Sequence, residues 1–410
     1  MINLYRILFP IFFIPTISLL SVFSKKIRAG FFEKLGFYNF KINEKTFWIH
    51  AVSVGEVQAV SEFIKNYKGE KIVLTVSTPQ GLELANKKLT DYCEKICYFP
   101  LDIDFAINSA KKAINPSKVM IFETEIWPNF VYNLKKSGIK VFISNGRISD
   151  STYKTYKTLR FFFKDVFKNF TGILAQSEED AQKFVSIGAN PEIVQNMGNI
   201  KFDIEFPSDE TALVLKKEYN KNNMPTILAG STHAGEDEII ISVYKNLKNK
   251  IENLKLIIAP RHLERVTSIC TLLEAEKLNY SLRTTSPNLE KADVIVLNTT
   301  GELSRLYAVS DVSIICGSFN NTGGHNPLEA TIWSKPVISG PNIKNFKVIY
   351  RELLKYNCAK IASDKIELEA ELEKVLTDNK HQEEMKENSK KAILENQGAG
   401  KFLRNYIKGL

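Results

Sequence analysis

Apolar, β-branched runs alternate with longer amphipathic stretches from residue 46 onward. Candidate strands are Thr46–Val52, Lys71–Val76, Lys118–Phe122, Lys140–Ser144 and Gly172–Ala175. A second series follows at Thr226–Ala229, Leu254–Ala259, Asp293–Leu297, Asp311–Cys316 and Pro336–Ser339. Short strands separated by helix-length segments predict βα units, which assemble into parallel sheets. Two such series predict an α/β protein of two doubly wound domains. The join falls in the polar stretch Asn199–Pro225, which closes on Asn222-Asn223-Met224-Pro225. The expected division is an N-terminal anchor over 1–26, a first domain over 27–205, a second over 206–385 and a basic helical segment over 386–410.

The anchor interrupts this pattern. Ile7 to Ser24 is a run of 18 residues without a charge, with Lys25, Lys26 and Arg28 just after it. That length sits at the lower edge for a spanning helix, and the basic flank fits a chain whose remainder is cytoplasmic. Pro10 and Pro15 leave an interfacial helix open as well. No small-residue cleavage site closes the run, so an uncleaved anchor is expected over a signal peptide.

Composition changes this picture little. At 44% hydrophobic and 25% charged residues, the 410-residue chain has enough apolar material for large cores and no signature of disorder. The net charge of +9 favours anionic partners without choosing among them. Cys93, Cys97, Cys270, Cys316 and Cys358 are odd in number, show no metal-ligand spacing and read as buried thiols of a reducing compartment.

In open α/β sheets ligands bind beyond the C-terminal strand ends, so the residues directly after each strand carry the information. In the first series Trp48-Ile49-His50-Ala51-Val52-Ser53-Val54-Gly55-Glu56 runs from a strand into a helix start. Ser53-x-x-Glu56 is a capping box, in which Glu56 would satisfy the N–H of Ser53. A carboxylate at the same place can instead take a proton from a hydroxyl nucleophile. Glu123-Thr124-Glu125 follows Val119–Phe122, and in a strand-like continuation the two acids share one side. Like charges so close need a cation. Lys201 in Gly198-Asn199-Ile200-Lys201-Phe202 is a candidate cation, although a lone lysine is usually solvated.

The second series repeats the design. Gly230-Ser231-Thr232-His233-Ala234-Gly235-Glu236 follows a strand and offers open helix N–H groups to a phosphate. Pro260 ends the next strand and Arg261 stands at its mouth, suited to bidentate phosphate binding. Gly301-Glu302-Leu303 follows a third strand. Gly323-Gly324-His325-Asn326-Pro327-Leu328-Glu329 closes a glycine-rich loop, with Asn326, Pro327 and Glu329 expected at the N-cap, first and third positions of a helix. Four of the chain's five histidines, His50, His233, His262 and His325, lie in these post-strand segments. Such clustering favours a ligand site over a set of unrelated caps.

Taken in order, these segments resemble the 3-deoxy-D-manno-octulosonic acid (Kdo) transferases of Gram-negative lipopolysaccharide synthesis, from about Ile27 to the C-terminus. The resemblance implies a GT-B fold of two facing Rossmann-like domains, the first for the acceptor and the second for the donor. It implies CMP-Kdo as donor, a lipid A precursor as acceptor, and a place at the cytoplasmic face of the bacterial inner membrane. It carries the catalytic base onto Glu56 and transition-state stabilisation onto Glu123 and Lys201. It puts the donor on Pro260, Arg261, Gly301, Glu302, Leu303, Asn326, Pro327, Leu328 and Glu329, and the helix start at Ser231, Thr232 and His233 joins them. No cofactor, metal or nucleic acid is expected. Phe31, Phe32, Leu35, Phe37 and Tyr38, beside Lys34, are expected either to seat acyl chains or simply to pack on the first domain. The competing readings are a GT-B enzyme using another nucleotide sugar and a non-catalytic membrane protein that binds anionic lipid.

Overall fold

A computed structural model describes residues 2–23, 28–220, 222–285 and 289–410. The chain divides into two compact units, Met1–Asp203 with Gln397–Leu410, and Ile204–Asn396.

Unit 1 is built on seven parallel strands: β1 (Thr46–His50), β2 (Lys71–Val76), β3 (Lys95–Tyr98), β4 (Pro116–Phe122), β5 (Lys140–Gly146), β6 (Gly172–Ala175) and β7 (Val194–Asn196). Their order is β3-β2-β1-β4-β5-β6-β7. The chain winds one way from β1 and then crosses to β4, so the gap beside β1 and β4 is the switch point where such sheets bind ligands. Both faces are covered, which is why the central strands read as unbroken apolar runs. One face buries Trp48, Val119, Ile121 and Phe130, and the other Phe47, Ile49, Met120 and Phe142.

Unit 2 has strands β8 (Thr226–Thr232), β9 (Lys255–Pro260), β10 (Tyr280–Leu282), β11 (Val294–Val296), β12 (Val312–Ile315), β13 (Val337–Ser339) and β14 (Ala359–Ile361). They lie in the order β10-β11-β9-β8-β12-β13-β14, all parallel. Its switch point lies between β8 and β12. All ten expected strands are present, with ends shifted by up to three residues. The four that the apolar pattern did not show, β3, β7, β10 and β14, are the sheet edges.

The segment expected as one basic helical tail is divided. The helix Asn379–Asn396 belongs to unit 2, whereas Ala399–Lys408 buries Ala399, Leu403 and Ile407 in a core of unit 1. Asp203 ties that return, accepting from the N–H groups of Gly398 (2.6 Å) and Gly400.

Ile2–Phe23 is a helix that contains both prolines. Among the described residues no helix is long and apolar enough to cross a membrane. Ser24, Lys25 and Lys26, the end and basic flank of the expected anchor, lie outside the described residues. The first turns of the helix are fastened to unit 1. Tyr5 donates to Asp102 at 2.9 Å, and Arg6 reaches Asp104 at 2.7 Å and Asn129 at 2.9 Å. Leu4, Ile7, Leu8 and Ile11 stay exposed. The five cysteines are free thiols, three buried and two half-buried.

Candidate active site

Glu56 stands in the first turn of the helix Val54–Lys65, beside the end of β1. Ser53 is the N-cap, and its hydroxyl accepts from the Glu56 N–H at 3.5 Å. The Glu56 carboxylate turns back, as a box acid does, but one residue further than expected. It accepts from the Val52 N–H at 2.8 Å, and its other oxygen accepts from the Ser53 hydroxyl at 3.0 Å. The capping and catalytic readings therefore meet in one side chain. They do not compete, because each carboxylate oxygen has two lone pairs and only one is used on each. Burial raises its pKa to about 7, and the neighbouring Glu123 charge adds to that shift. A base poised near neutrality suits proton abstraction from an alcohol.

Glu123 directly follows β4 and corrects one expectation. Its φ of 58° is left-handed, so the chain turns there rather than continuing as a strand that aligns Glu123 with Glu125. Non-glycine residues hold that conformation only where the surroundings enforce it, and such positions gather at functional sites. Lys201 supplies the cation, its Nζ lying 2.8 Å from Glu123 Oε1. It is held by a short chain of caps. Asn145, left-handed at the end of β5, accepts from the Ile200 N–H at 3.1 Å, and Asn199 accepts from the Lys201 N–H at 3.1 Å. Unit 1 thus brings Glu56, Glu123 and Lys201 together near its switch point.

His50 does not join them. It is the last residue of β1, fully buried, stacked on Phe99 with centroids 3.8 Å apart, and its Nδ1 lies 3.0 Å from the Thr75 carbonyl. Burial depresses its pKa to about 3, so it is a neutral core histidine.

In unit 2 the organising residue is Glu236. Its carboxylate is buried and accepts from four backbone N–H groups: His233 (3.0 Å), Gly317 (2.8 Å), Ser318 (3.0 Å) and Phe319 (3.0 Å). It thereby joins the loop after β8 to the loop after β12. Of the N–H groups expected to be open to a phosphate, that of His233 is thus satisfied from within. Ser231, with φ of 61°, occupies the irregularity of β8 between Gly230 and Thr232. The consequence is that His233 Nε2 meets His325 Nε2 at 2.8 Å, while the His262 ring stands edge-on to His233 with centroids 5.9 Å apart. Three of the four clustered histidines therefore do converge.

The remaining candidates divide by partner. Arg261 is exposed after β9, close enough to Glu329 to oppose the pKa rise that burial imposes on that carboxyl. The helix expected to open with Pro327 at its first position runs Leu328–Thr331, so Pro327 rather than Asn326 is its N-cap, and Asn326, one residue before, accepts from the Leu328 N–H at 3.2 Å. Among the described residues nothing hydrogen-bonds the Glu329 carboxylate, so it is not a box acid. Glu302 is engaged instead, accepting from the Thr299 hydroxyl at 2.6 Å and pairing with Arg283 at 3.3 Å. Gly301, at φ of 87°, has open space where a side chain would stand.

Two family models match the chain, one described as 3-deoxy-D-manno-octulosonic-acid transferase over residues 29–204 and one as glycosyl transferases group 1 over 225–392. The 3-deoxy-D-manno-octulosonic acid transferase of Haemophilus influenzae is 32% identical over 96% of this chain and 94% of its own. The chain belongs to the Kdo transferase family. A bifunctional glycosyltransferase/methyltransferase of Fusobacterium nucleatum is 36% identical over 76% of the chain, which spans 50% of that larger protein. A glycosyltransferase structure from Rickettsia africae aligns with a TM-score of 0.57 over 90% of this chain and 98% of its own, at 14% identity. That likeness shows the fold, which is the GT-B-like arrangement of two parallel-sheet domains.

Three residues of this Kdo transferase escaped the sequence reading of its site. Glu236 was visible only as a helix-start acid, and Asn145 only as a polar residue after an apolar strand. Asp102 follows β3, an edge strand that the apolar pattern did not show. It accepts from the N–H groups of Asn129 (3.1 Å) and Phe130 (2.6 Å), capping the helix Pro128–Lys136 that follows Glu125 and Trp127. The aromatic cluster also divides. Tyr38 turns inward, its hydroxyl donating to the Tyr98 carbonyl at 3.2 Å, while Phe32 and Phe37 stay exposed and form a chain of ring contacts with exposed Phe105.

Proposed function

We propose that the chain transfers Kdo from CMP-Kdo to the 6′ hydroxyl of a lipid A precursor disaccharide, in one inverting step with Glu56 as general base. The acceptor oxygen forms a bond to the anomeric carbon of Kdo. The bond from that carbon to the CMP phosphate breaks, its electron pair leaves with CMP, and the hydroxyl proton goes to Glu56. The observation that carries this reading is Glu56 itself: a partly buried carboxylate at a switch point, held by two donors yet with lone pairs spare, and poised near neutral pH. A single base fits direct displacement, and Glu123, the acid whose charge acts most on Glu56, is paired with Lys201. The Glu123–Lys201 pair would stabilise charge developing around the reacting centre.

The donor reading rests on Arg261, Glu329, Gly301 to Leu303, Asn326 to Leu328, Pro260 and the Ser231–His233 turn, all at C-terminal strand ends of unit 2. Arg261 supplies positive charge and the neighbouring imidazoles supply hydrogen-bonding nitrogens for a leaving phosphate, so no metal is invoked. Attachment to the cytoplasmic face of the inner membrane is part of the proposal. It is supported by the exposed apolar residues of the helix Ile2–Phe23 and by Phe32, Phe37 and Phe105, which suit acyl chains at a bilayer surface.

The turnover rate at saturating substrates is expected to rise with pH along a limb with an apparent pKa of about 7, because only ionised Glu56 can take the proton. Released nucleotide, resolved by chromatography between pH 5.5 and 8.5, measures this. A rate already on its plateau at pH 5.5 would contradict Glu56 as the base, and release of UDP from a UDP-sugar would contradict the donor.

A further inference from the structure

Two imidazole nitrogens 2.8 Å apart hold one proton between them, since two N–H groups would collide. His233 and His325 are in that state, ring planes within 9° of each other. The fold builds the pair deliberately. Glu236 fixes both loops through four N–H bonds. Gly317, at φ of 72°, leaves room for the His325 ring, because a Cβ there would stand 2.9 Å from His325 Cδ2. Neither histidine is deeply buried, so the pair is open to a ligand.

The charged groups around it are mostly cationic. Arg261, His262 and Arg265 come from the segment after β9, and Lys344 packs against Gly323 of the glycine-rich loop. The acids are committed or set apart. Glu236 is bound to backbone, Asp237 is paired with Arg265, and Glu329 faces Arg261. Burial, with the neighbouring imidazole and Arg261 adding to it, lowers the His325 pKa to about 4, and burial lowers that of His233 as well. The free pair is therefore neutral at pH 7.

We propose that His233 and His325 form a proton-linked clamp for a phosphate-type anion: on binding, the single N–H···N bond opens into two N–H···O bonds and the pair takes up one proton. The alternative, a tautomer shift without uptake, is disfavoured because a dianion beside the rings favours the charged imidazolium. Resting on the donor reading above, this makes the pair the group that meets the charge left on CMP, with the two imidazoles as binding residues additional to Arg261.

Calorimetry of CMP binding at pH 7.5, in buffers of different ionisation enthalpy, reads the proton directly. Wild-type protein should take up close to one proton per CMP. Its Kd should rise towards tenfold from pH 7 to pH 8, where CMP itself stays a dianion, because proton uptake and anion binding are reciprocally linked. H325Q, which keeps a hydrogen-bonding group at the Nε2 position but cannot titrate there, should lose most of the uptake and flatten the pH dependence to under about twofold. H233Q should do the same. Binding of CMP with no uptake, or full uptake in both variants, overturns the clamp while leaving the donor reading intact. Equal uptake with cytidine, which has no phosphate, also overturns it. Failure of folded wild-type protein to bind CMP overturns the donor reading and the clamp together.

Discussion

Glu56→Gln is expected to lower the transfer rate by about 10²–10⁴-fold while leaving the fold and CMP binding near those of the wild type. The amide is isosteric, so the helix Val54–Lys65 keeps its Ser53 cap and its buried face of Val57, Val60, Phe63 and Ile64. One amide oxygen remains to accept from Val52 or Ser53. The proton acceptor is lost, because a carboxamide does not take a proton from an alcohol near neutral pH. A merely structural Glu56 predicts the opposite pattern, with lower thermal stability and undiminished turnover. Turnover and unfolding temperature measured on the same preparation separate the two.

Glu236→Ala is the substitution expected to cost most stability. It strips the partner from the N–H groups of His233, Gly317, Ser318 and Phe319 at once. Each buried group left unsatisfied costs about 1–3 kcal/mol, and water entering the space relieves some of it, so a net loss of at least about 3 kcal/mol is expected. Glu236→Gln keeps one oxygen and turns an N–H₂ toward the other donors, so it should fall between. Because the carboxylate also sets the positions of His233 and His325, CMP affinity should fall with it. Urea unfolding followed by a probe in unit 2 tests the first effect. An unchanged midpoint for Glu236→Ala would mean that the loops after β8 and β12 hold themselves together without it.

The contrast between these two acids shows what a sequence can carry. Glu56 and Glu236 each follow a strand and open a helix, and both look like cap acids in one dimension. Glu56 bonds within four residues of itself, so local spacing anticipates its geometry almost completely. Glu236 bonds residues more than eighty positions away, and no local pattern encodes that. The strands divide for a related reason. Central strands are covered on both faces and read as continuous apolar runs, so they were legible. Edge strands such as Val194-Gln195-Asn196 and Tyr280-Ser281-Leu282 are short and half-exposed, and their sequences need no such run. The histidine clustering picked out three rings that converge, whereas His50 lies inside β1, as the expected strand Thr46–Val52 already had it, and packs in the core.

Backbone conformation was the other hidden variable. Glu123 and Ser231 both adopt left-handed φ without being glycine. Sequence therefore suggested a strand-like run after β4, and the turn that brings Glu123 to Lys201 came as a finding. The order of the sheets, by contrast, places the legible residues where doubly wound folds bind ligands: Glu56 and Glu123 after β1 and β4, and His233 and His325 after β8 and β12.

The central claim is that this chain moves Kdo from CMP-Kdo onto a lipid A precursor. Mass spectrometry of the product formed from CMP-Kdo and a tetraacylated lipid A precursor tests it most directly. The account predicts a precursor heavier by one or more Kdo residues, with CMP released in equal number, and no such product from Glu56→Gln on the same timescale. An unmodified precursor from folded, CMP-binding wild-type protein would contradict it.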